Sequence, residues 1–171
     1  MKKCYPGWFT VILMLFIFGT CGGAWALDWG TREMDTEKLA VKFYREVAGG
    51  GYKIVTTEEL KDLTDKKQDM LIIDTMPMED SFVKNHVAGA VSFELPVEEL
   101  SKMDDKTRED FVKLLGPDKN RCLVFYCGFV KCARSHNGAL WAVKLGYTNV
   151  YRYPGGIKAW LEAEYPAEKG K

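Results

Sequence analysis

Two rhythms of apolar and polar positions run along this chain. Short runs rich in β-branched and aromatic residues occur at 53–55, 70–74, 90–93, 122–126 and 150–153, each bounded by polar or glycine-containing segments. Runs of that length predict strands buried on both faces. Between them the spacing is helical. Leu39, Phe43 and Val47 stand at i, i+4 and i+8 and predict a helix over 35–47 with Asp35 or Thr36 as its cap, after which Gly49-Gly50-Gly51 is expected to form a flexible joint. Thr56 with Glu59 makes a capping box for a second helix. Further helical stretches are expected at 96–103 and at 107–115, the latter led by Asp104 or Asp105 and closed by Gly116-Pro117. Ala139, Leu140 and Val143 predict a helix over 133–145 that stops at Gly146, and a last helix around Trp160 follows Gly155-Gly156.

Strand and helix alternation of this kind predicts an α/β domain with a parallel sheet of about five strands and helices on both faces, hence three layers. Tyr44, Trp141, Tyr151, Tyr153 and Trp160 are expected in its core. At 171 residues the chain is long enough for one domain with a proper core.

The first 26 residues follow a different pattern. Lys2 and Lys3 precede an apolar run from Phe9 to Phe18, and Ala24-Trp25-Ala26 supplies the small-x-small pattern of a signal-peptidase site. Residues 1–26 are thus expected to be a signal peptide that directs export to the periplasm, followed by an N-terminal helical extension over 27–51 and the main domain over 52–169. Lipidation at Cys21, after Phe18-Gly19-Thr20, or retention as an uncleaved anchor are the alternatives that would place the protein at a membrane; the apolar core is shorter than the roughly 20 residues of a spanning helix. The chain carries 24 basic and 24 acidic residues, and loss of Lys2 and Lys3 leaves 22 basic residues against 24 acidic, a net charge near −2. With no basic stripe in the sequence, nucleic acid is not expected as a partner.

Export alters how the cysteines read. Cys4 and Cys21 belong to the leader, which leaves Cys122, Cys127 and Cys132 for the mature chain. Cys122 falls within a strand pattern and is expected to be a small buried hydrophobe. Cys127 lies at the carboxyl end of the 122–126 strand, at the mouth of a loop, Cys127-Gly128-Phe129-Val130-Lys131-Cys132-Ala133-Arg134, that feeds a helix N-terminus. Open α/β sheets bind ligands outside the carboxyl ends of their strands, and backbone N–H groups there favour negative charge. A thiol in that place, near Lys131 and Arg134, is expected to ionise below its ordinary pKa of about 8.5.

This strand, loop and helix, followed by Val150-Tyr151-Arg152-Tyr153-Pro154-Gly155-Gly156-Ile157-Lys158-Ala159-Trp160, resembles the rhodanese family of sulfurtransferases. Ile72-Ile73-Asp74-Thr75, Phe82, Asn85-His86-Val87 and Gly89-Ala90-Val91 resemble that family's upstream block, so the likeness spans 52–166. It implies a three-layer rhodanese-like fold and a covalent mechanism. Cys127 would take sulfur from a small anionic donor such as thiosulfate or polysulfide, hold it as a persulfide, and yield it to a thiol acceptor or partner protein without a cofactor. The resemblance further implies that Gly128, Phe129, Val130, Lys131, Ala133 and Arg134 bind the donor, with Lys131 and Arg134 recruiting its charge. It assigns structural roles to Asp74 and His86.

Two departures stand out. Six residues separate Cys127 from Arg134, more than in the family's ordinary loop or in the related phosphatases and arsenate reductases, so the cradle is expected to be wider or differently folded, which favours a larger polysulfide or protein-borne sulfur over thiosulfate. Cys132 is the other. It is a candidate resolving thiol that attacks a persulfide on Cys127, releases sulfide and leaves a disulfide, or else a loop cap. Met76 also stands where many relatives carry an arginine. An alternative to sulfur transfer is a thiol–disulfide or metal-binding protein using Cys127, Cys132 and His136, with His86 as a fourth ligand, although the spacing matches no standard zinc site and no metal is expected.

Overall fold

The computed structural model describes residues 32–170. The expected leader, with Cys4 and Cys21, lies outside them. Five strands form one parallel sheet: β1 (Lys53–Ile54), β2 (Leu71–Asp74), β4 (Val91–Ser92), β5 (Leu123–Tyr126) and β6 (Val150–Tyr153), in the order β1-β6-β5-β2-β4. The register pairs Phe125 with Ile73 on one side and with Arg152 on the other. A second, two-stranded antiparallel sheet joins β3 (His86–Val87) to β7 (Ala167–Glu168).

All four residues of β5 are fully buried, because the alternation of a strand delivers them to two different cores. Leu123 and Phe125 pack with Ile73, Phe111, Leu115, Ala139 and Ala142 on the face covered by α3 (Asp105–Leu115) and α4 (Arg134–Lys144). Val124 and Tyr126 pack with Leu60, Tyr153, Ile157 and Trp160 on the face covered by α2 (Thr57–Asp65) and α5 (Gly156–Glu162). This is the three-layer α/β arrangement that the run pattern predicts.

Helix α1 (Glu33–Gly50) packs on the α4 side through Val47. It is longer than predicted and begins after Arg32 with no side-chain cap. The three glycines do not form a flexible joint. Gly49 and Gly50 continue the helix, Gly51 closes it at φ 67°, and Gly50 is buried so tightly against the Tyr52 ring that a β-carbon there would collide with it. At α2 the capping box is present: Thr56 Oγ1 accepts from Glu59 N–H at 3.2 Å and Glu59 accepts from Thr56 N–H at 2.8 Å.

The helix expected over 96–103 does not form. Side chains of α4 take its backbone groups instead. Asn137 Nδ2 donates to the carbonyls of Pro96 (2.9 Å) and Glu98 (2.7 Å), its Oδ1 accepts from Leu100 N–H (3.0 Å), and Trp141 Nε1 donates to Leu100 O (2.8 Å). A segment whose backbone groups are satisfied in this way need not make helical hydrogen bonds of its own. Two expectations about burial also fail. Tyr44 is 73% exposed, on the outer face of α1, whereas Tyr153 and Trp160 are core residues as predicted. Cys122 is only half-buried, being the residue just before β5 rather than inside it.

Candidate functional site

The site lies at the carboxyl ends of β5 and β6, where the chain leaves β5 at Tyr126 and enters α4 at Arg134. The extra loop length is absorbed by a tight turn: Cys132 N–H donates to Phe129 O at 3.0 Å, which folds the loop back and leaves Phe129 and Val130 exposed at its tip. The base of the loop is held by α5. Ile157 N–H donates to Cys127 O (3.0 Å) and Lys158 N–H to Gly128 O (3.1 Å). That approach requires glycine at 156, whose φ is +62°, and whose absent β-carbon would overlap the Cys127 carbonyl oxygen and lie 2.7 Å from the Gly128 carbonyl carbon.

Both loop cysteines are free thiols facing the interior, Cys127 1% and Cys132 8% exposed. Cys127 Sγ lies 3.3 Å from Ser135 Oγ and 3.3 Å from the Cys132 carbonyl oxygen. The Cys127 thiol donates to the Cys132 carbonyl oxygen, and the two thiols bear on each other's ionisation unequally. Cys132 is pulled down to about 6, first by the neighbouring Cys127 thiol, then by the backbone N–H groups of Arg134 and Gly128 and by the Arg134 charge, against burial. Cys127 is pushed up, first by its hydrogen bond to Cys132, then by burial and by the Cys132 charge, while Ser135 pulls it down. The expectation that Cys127 is itself the low-pKa thiol is therefore corrected. Of the two, Cys132 is the thiol that ionises more readily and Cys127 the one held protonated.

Arg134 is not directed into the loop. Its guanidinium donates to Leu95 O and lies 3.5 Å from Glu94, so its own backbone N–H and its charge, not a grip by the fork, act on the loop. A phosphate clamp would need that fork free. Lys131 is exposed. Gly128 is buried beside Met76, whose methyl would stand 3.5 Å from a β-carbon there. Ala133 is buried at the end of the loop.

Asp74, at the end of β2, accepts from Met76 N–H at 2.9 Å through Oδ1, while its other oxygen is buried without a partner, and burial pushes its carboxyl above the ordinary range. His86 stands apart from the loop. Its Nδ1 bonds Phe82 O (2.9 Å), its ring stacks on Phe82 at 3.8 Å, and its Nε2 faces Glu168 at 3.6 Å. Nor does His136 turn toward the cysteines, since its Nδ1 is bonded to Tyr52 OH at 2.8 Å. Among the described residues no three metal-ligating side chains converge, so the metal-site alternative has no set of ligands there.

The run pattern does not bring forward Ser135, Arg152, Tyr52 or Glu46. Arg152 is 1% exposed behind the loop: Nε donates to Ser135 Oγ (3.1 Å), one terminal nitrogen to Cys132 O (3.1 Å), and the other to Glu46 Oε2 (2.6 Å) and Tyr52 OH (3.3 Å). The signal was present in the sequence as an arginine inside a strand flanked by tyrosines, because a charge in a buried strand must be paired. Through Glu46 the N-terminal helix α1 is a partner of Arg152. Helix α1 also forms one wall of a cleft of about 870 Å³, opposite Val97, Glu98 and Glu99, whose lining includes Ala133 and His136.

No curated protein matches the sequence. Among solved structures, the chain is similar to a thiosulfate sulfurtransferase from Pseudomonas aeruginosa (TM-score 0.58, 21% identity), where 76% of this chain covers only 23% of that one. It is similar also to a polysulfide-sulfur transferase homodimer from Wolinella succinogenes (TM-score 0.54, 16% identity, 82% and 93% of the two chains). A third likeness is to a Rhodopseudomonas palustris protein of unknown function described as a possible tyrosine phosphatase (TM-score 0.52, 20% identity, 76% and 93%). At these identities the neighbours establish the fold. The model of the rhodanese-like domain matches residues 56–163, from the cap of α2 to the end of α5, and the chain belongs to that family.

Proposed function

We propose that this protein is a sulfurtransferase that carries sulfane sulfur as a persulfide on Cys127. The observation that carries the reading is a pair of free thiols on one loop, Cys127 at the carboxyl end of β5 and Cys132 five residues on, whose ionisation is interdependent. Family membership and the sulfurtransferases among the fold neighbours support sulfur transfer in general.

In the first step the Cys127 proton passes to the Cys132 thiolate, and the Cys127 thiolate attacks the outer sulfur of the donor. A new S–S bond forms at Cys127 while the donor's own S–S bond breaks, and the departing fragment keeps that electron pair. Backbone N–H groups of the loop then stabilise the terminal persulfide sulfur. Polysulfide is the favoured donor, because the Arg134 fork is engaged by Leu95 O and Glu94 and is not free to grip the sulfonate group of thiosulfate. Release takes one of two routes. An external thiolate removes the outer sulfur and regenerates Cys127, or Cys132 attacks Cys127 Sγ, expels hydrosulfide with the bonding pair and leaves a Cys127–Cys132 disulfide for a dithiol reductant to reopen. In this reading residues 1–26 direct the chain to the periplasm, where such a reductant has to be supplied.

The test is persulfide loading by polysulfide in cysteine variants. Cys127→Ser is expected to abolish loading, and Cys132→Ser to retain it while slowing sulfide release. Loading that survives without Cys127 and disappears without Cys132 would reverse the two roles.

A further inference from the structure

We propose that Arg152, anchored by Glu46 of α1, is a positioning residue that aims the Ser135 hydroxyl at Cys127, so that the thiolate of the nucleophile is stabilised by a hydrogen bond set from beneath the loop. The inference rests on the sulfurtransferase reading only in calling Cys127 the nucleophile; its geometry stands apart from it.

Proton accounting fixes the direction of each bond. A guanidinium has only donors, so at 3.1 Å from Arg152 Nε the Ser135 oxygen must accept. Its single proton is then free for its other neighbour, Cys127 Sγ at 3.3 Å. A hydroxyl that donates to sulfur favours the thiolate over the thiol. Without Arg152 the rotor is free to turn round and accept from the thiol, which has the opposite effect.

The arginine has a second contact of consequence. Its donation to Cys132 O at 3.1 Å engages the carbonyl that lies 3.3 Å from Cys127 Sγ, an oxygen that would repel a thiolate if left unpaired. Arg152 is held in this orientation from every side. Glu46 Oε2 takes one terminal nitrogen at 2.6 Å, Tyr52 OH lies 3.3 Å away, and the Phe43 ring lies 5.0 Å from the guanidinium carbon. Because Tyr52 accepts from Arg152, its hydroxyl proton goes to His136 Nδ1 at 2.8 Å. Glu46 and Phe43 belong to α1 and precede the 56–163 span matched by the family model, so the helix that reads as an appendage completes the support of the thiol. The charged and titratable groups around Cys127 are thus Cys132 and Arg134 on the loop and α4, and Arg152 on β6, with Glu46, Tyr52 and His136 facing Arg152.

The test uses the full chain in a Cys132→Ala background, which uncouples the two thiols, and follows the pH dependence of Cys127 alkylation by iodoacetamide, mapped by mass spectrometry. Ser135→Ala is expected to raise the midpoint by about one unit or more, a tenfold loss of thiolate at a fixed lower pH, and Ser135→Thr to restore it. Arg152→Met should shift the midpoint in the same direction, and adding it to Ser135→Ala should produce little further shift, because the two act as one unit. Glu46→Gln keeps the fold's hydrogen bond and gives a smaller shift. An unchanged midpoint in Ser135→Ala, or full additivity of the Ser135 and Arg152 effects, would overturn the proposal. Polysulfide loading of the same variants at a pH above every midpoint separates the two ideas. Thiolate that forms but never takes sulfur refutes the transferase reading and leaves the positioning role intact.

Discussion

Removing Cys127 should change how Cys132 titrates. Cys132 is held at about 6, against 9.0 for an unperturbed thiol, and the largest contribution comes from the neighbouring Cys127 thiol. At pH 7 a thiol of pKa 6 is about 90% ionised and one of pKa 9 about 1%, a ratio on the order of 90-fold, which bounds the effect if the whole depression were lost. The N–H groups of Arg134 and Gly128 and the Arg134 charge stay in Cys127→Ala, so a part of the depression remains. The expected result is a midpoint displaced upward by at least one unit, with alkylation of Cys132 at pH 6 slowed about fivefold or more. The assay is iodoacetamide alkylation of reduced protein across pH 5–10, read at the Cys132 peptide. The reciprocal variant, Cys132→Ala, should lower the Cys127 midpoint, because it removes the contributions that push Cys127 up apart from burial. A Cys132 midpoint that is the same with and without Cys127 would refute the shared-proton account.

Three further outcomes follow from the fold. Gly156→Ala places a β-carbon against the Cys127 and Gly128 backbone at a positive φ, and should cost about 2–4 kcal/mol, with a thermal midpoint lowered by roughly 5–15 °C; a change within 1 °C by calorimetry (about the error of such a midpoint) would mean that α5 does not press on the loop. Asp74 has a folded pKa raised above 3.8, so its contribution to stability is present below that pH and is lost as pH rises through the folded pKa. Asp74→Asn should therefore gain stability relative to the native chain as the pH of a denaturant titration rises from 4 to 7, and a gap that moves the other way would show that the carboxylate is the stabilised form. Asn137→Ala removes three hydrogen bonds to the 96–100 backbone and should cost about 2–4 kcal/mol in urea unfolding while exposing that segment to proteolysis; protection equal to the native chain's would contradict its role as a strap.

Most of the layer arrangement was legible because strands and helices announce themselves locally. The uninterrupted run 122–126 has one physical solution, a central strand between two cores, and Gly146 and the Thr56–Glu59 box mark helix ends by their own chemistry. The 96–103 segment misled because its apolar spacing is helical, whereas its backbone is claimed by Asn137 and Trp141 from more than 35 residues away in sequence, as those long-range bonds show. The glycine triplet misled for a related reason: glycine permits flexibility, and here it is used for close packing against Tyr52.

At the site, the position of Cys127 could be read from the strand and loop. The direction of its pKa could not. Generic arguments from helix N-termini and nearby cations place negative charge somewhere in the loop without saying which of its two sulfurs receives it. Arg134, to which the resemblance gives a donor-recruiting role, is committed to Glu94 and Leu95, while Arg152, 20 residues beyond Cys132, bonds the Cys132 carbonyl and Ser135 behind the thiol.

The central claim, sulfur carried on Cys127, is tested most directly by intact-protein mass spectrometry of the reduced chain before and after exposure to polysulfide and, separately, thiosulfate. A gain of one sulfur atom mapped to Cys127, greater with polysulfide, is expected. A chain that gains no sulfur and loses only two hydrogens, with Cys127 joined to Cys132, would contradict it and leave a thiol–disulfide protein on a rhodanese-like fold.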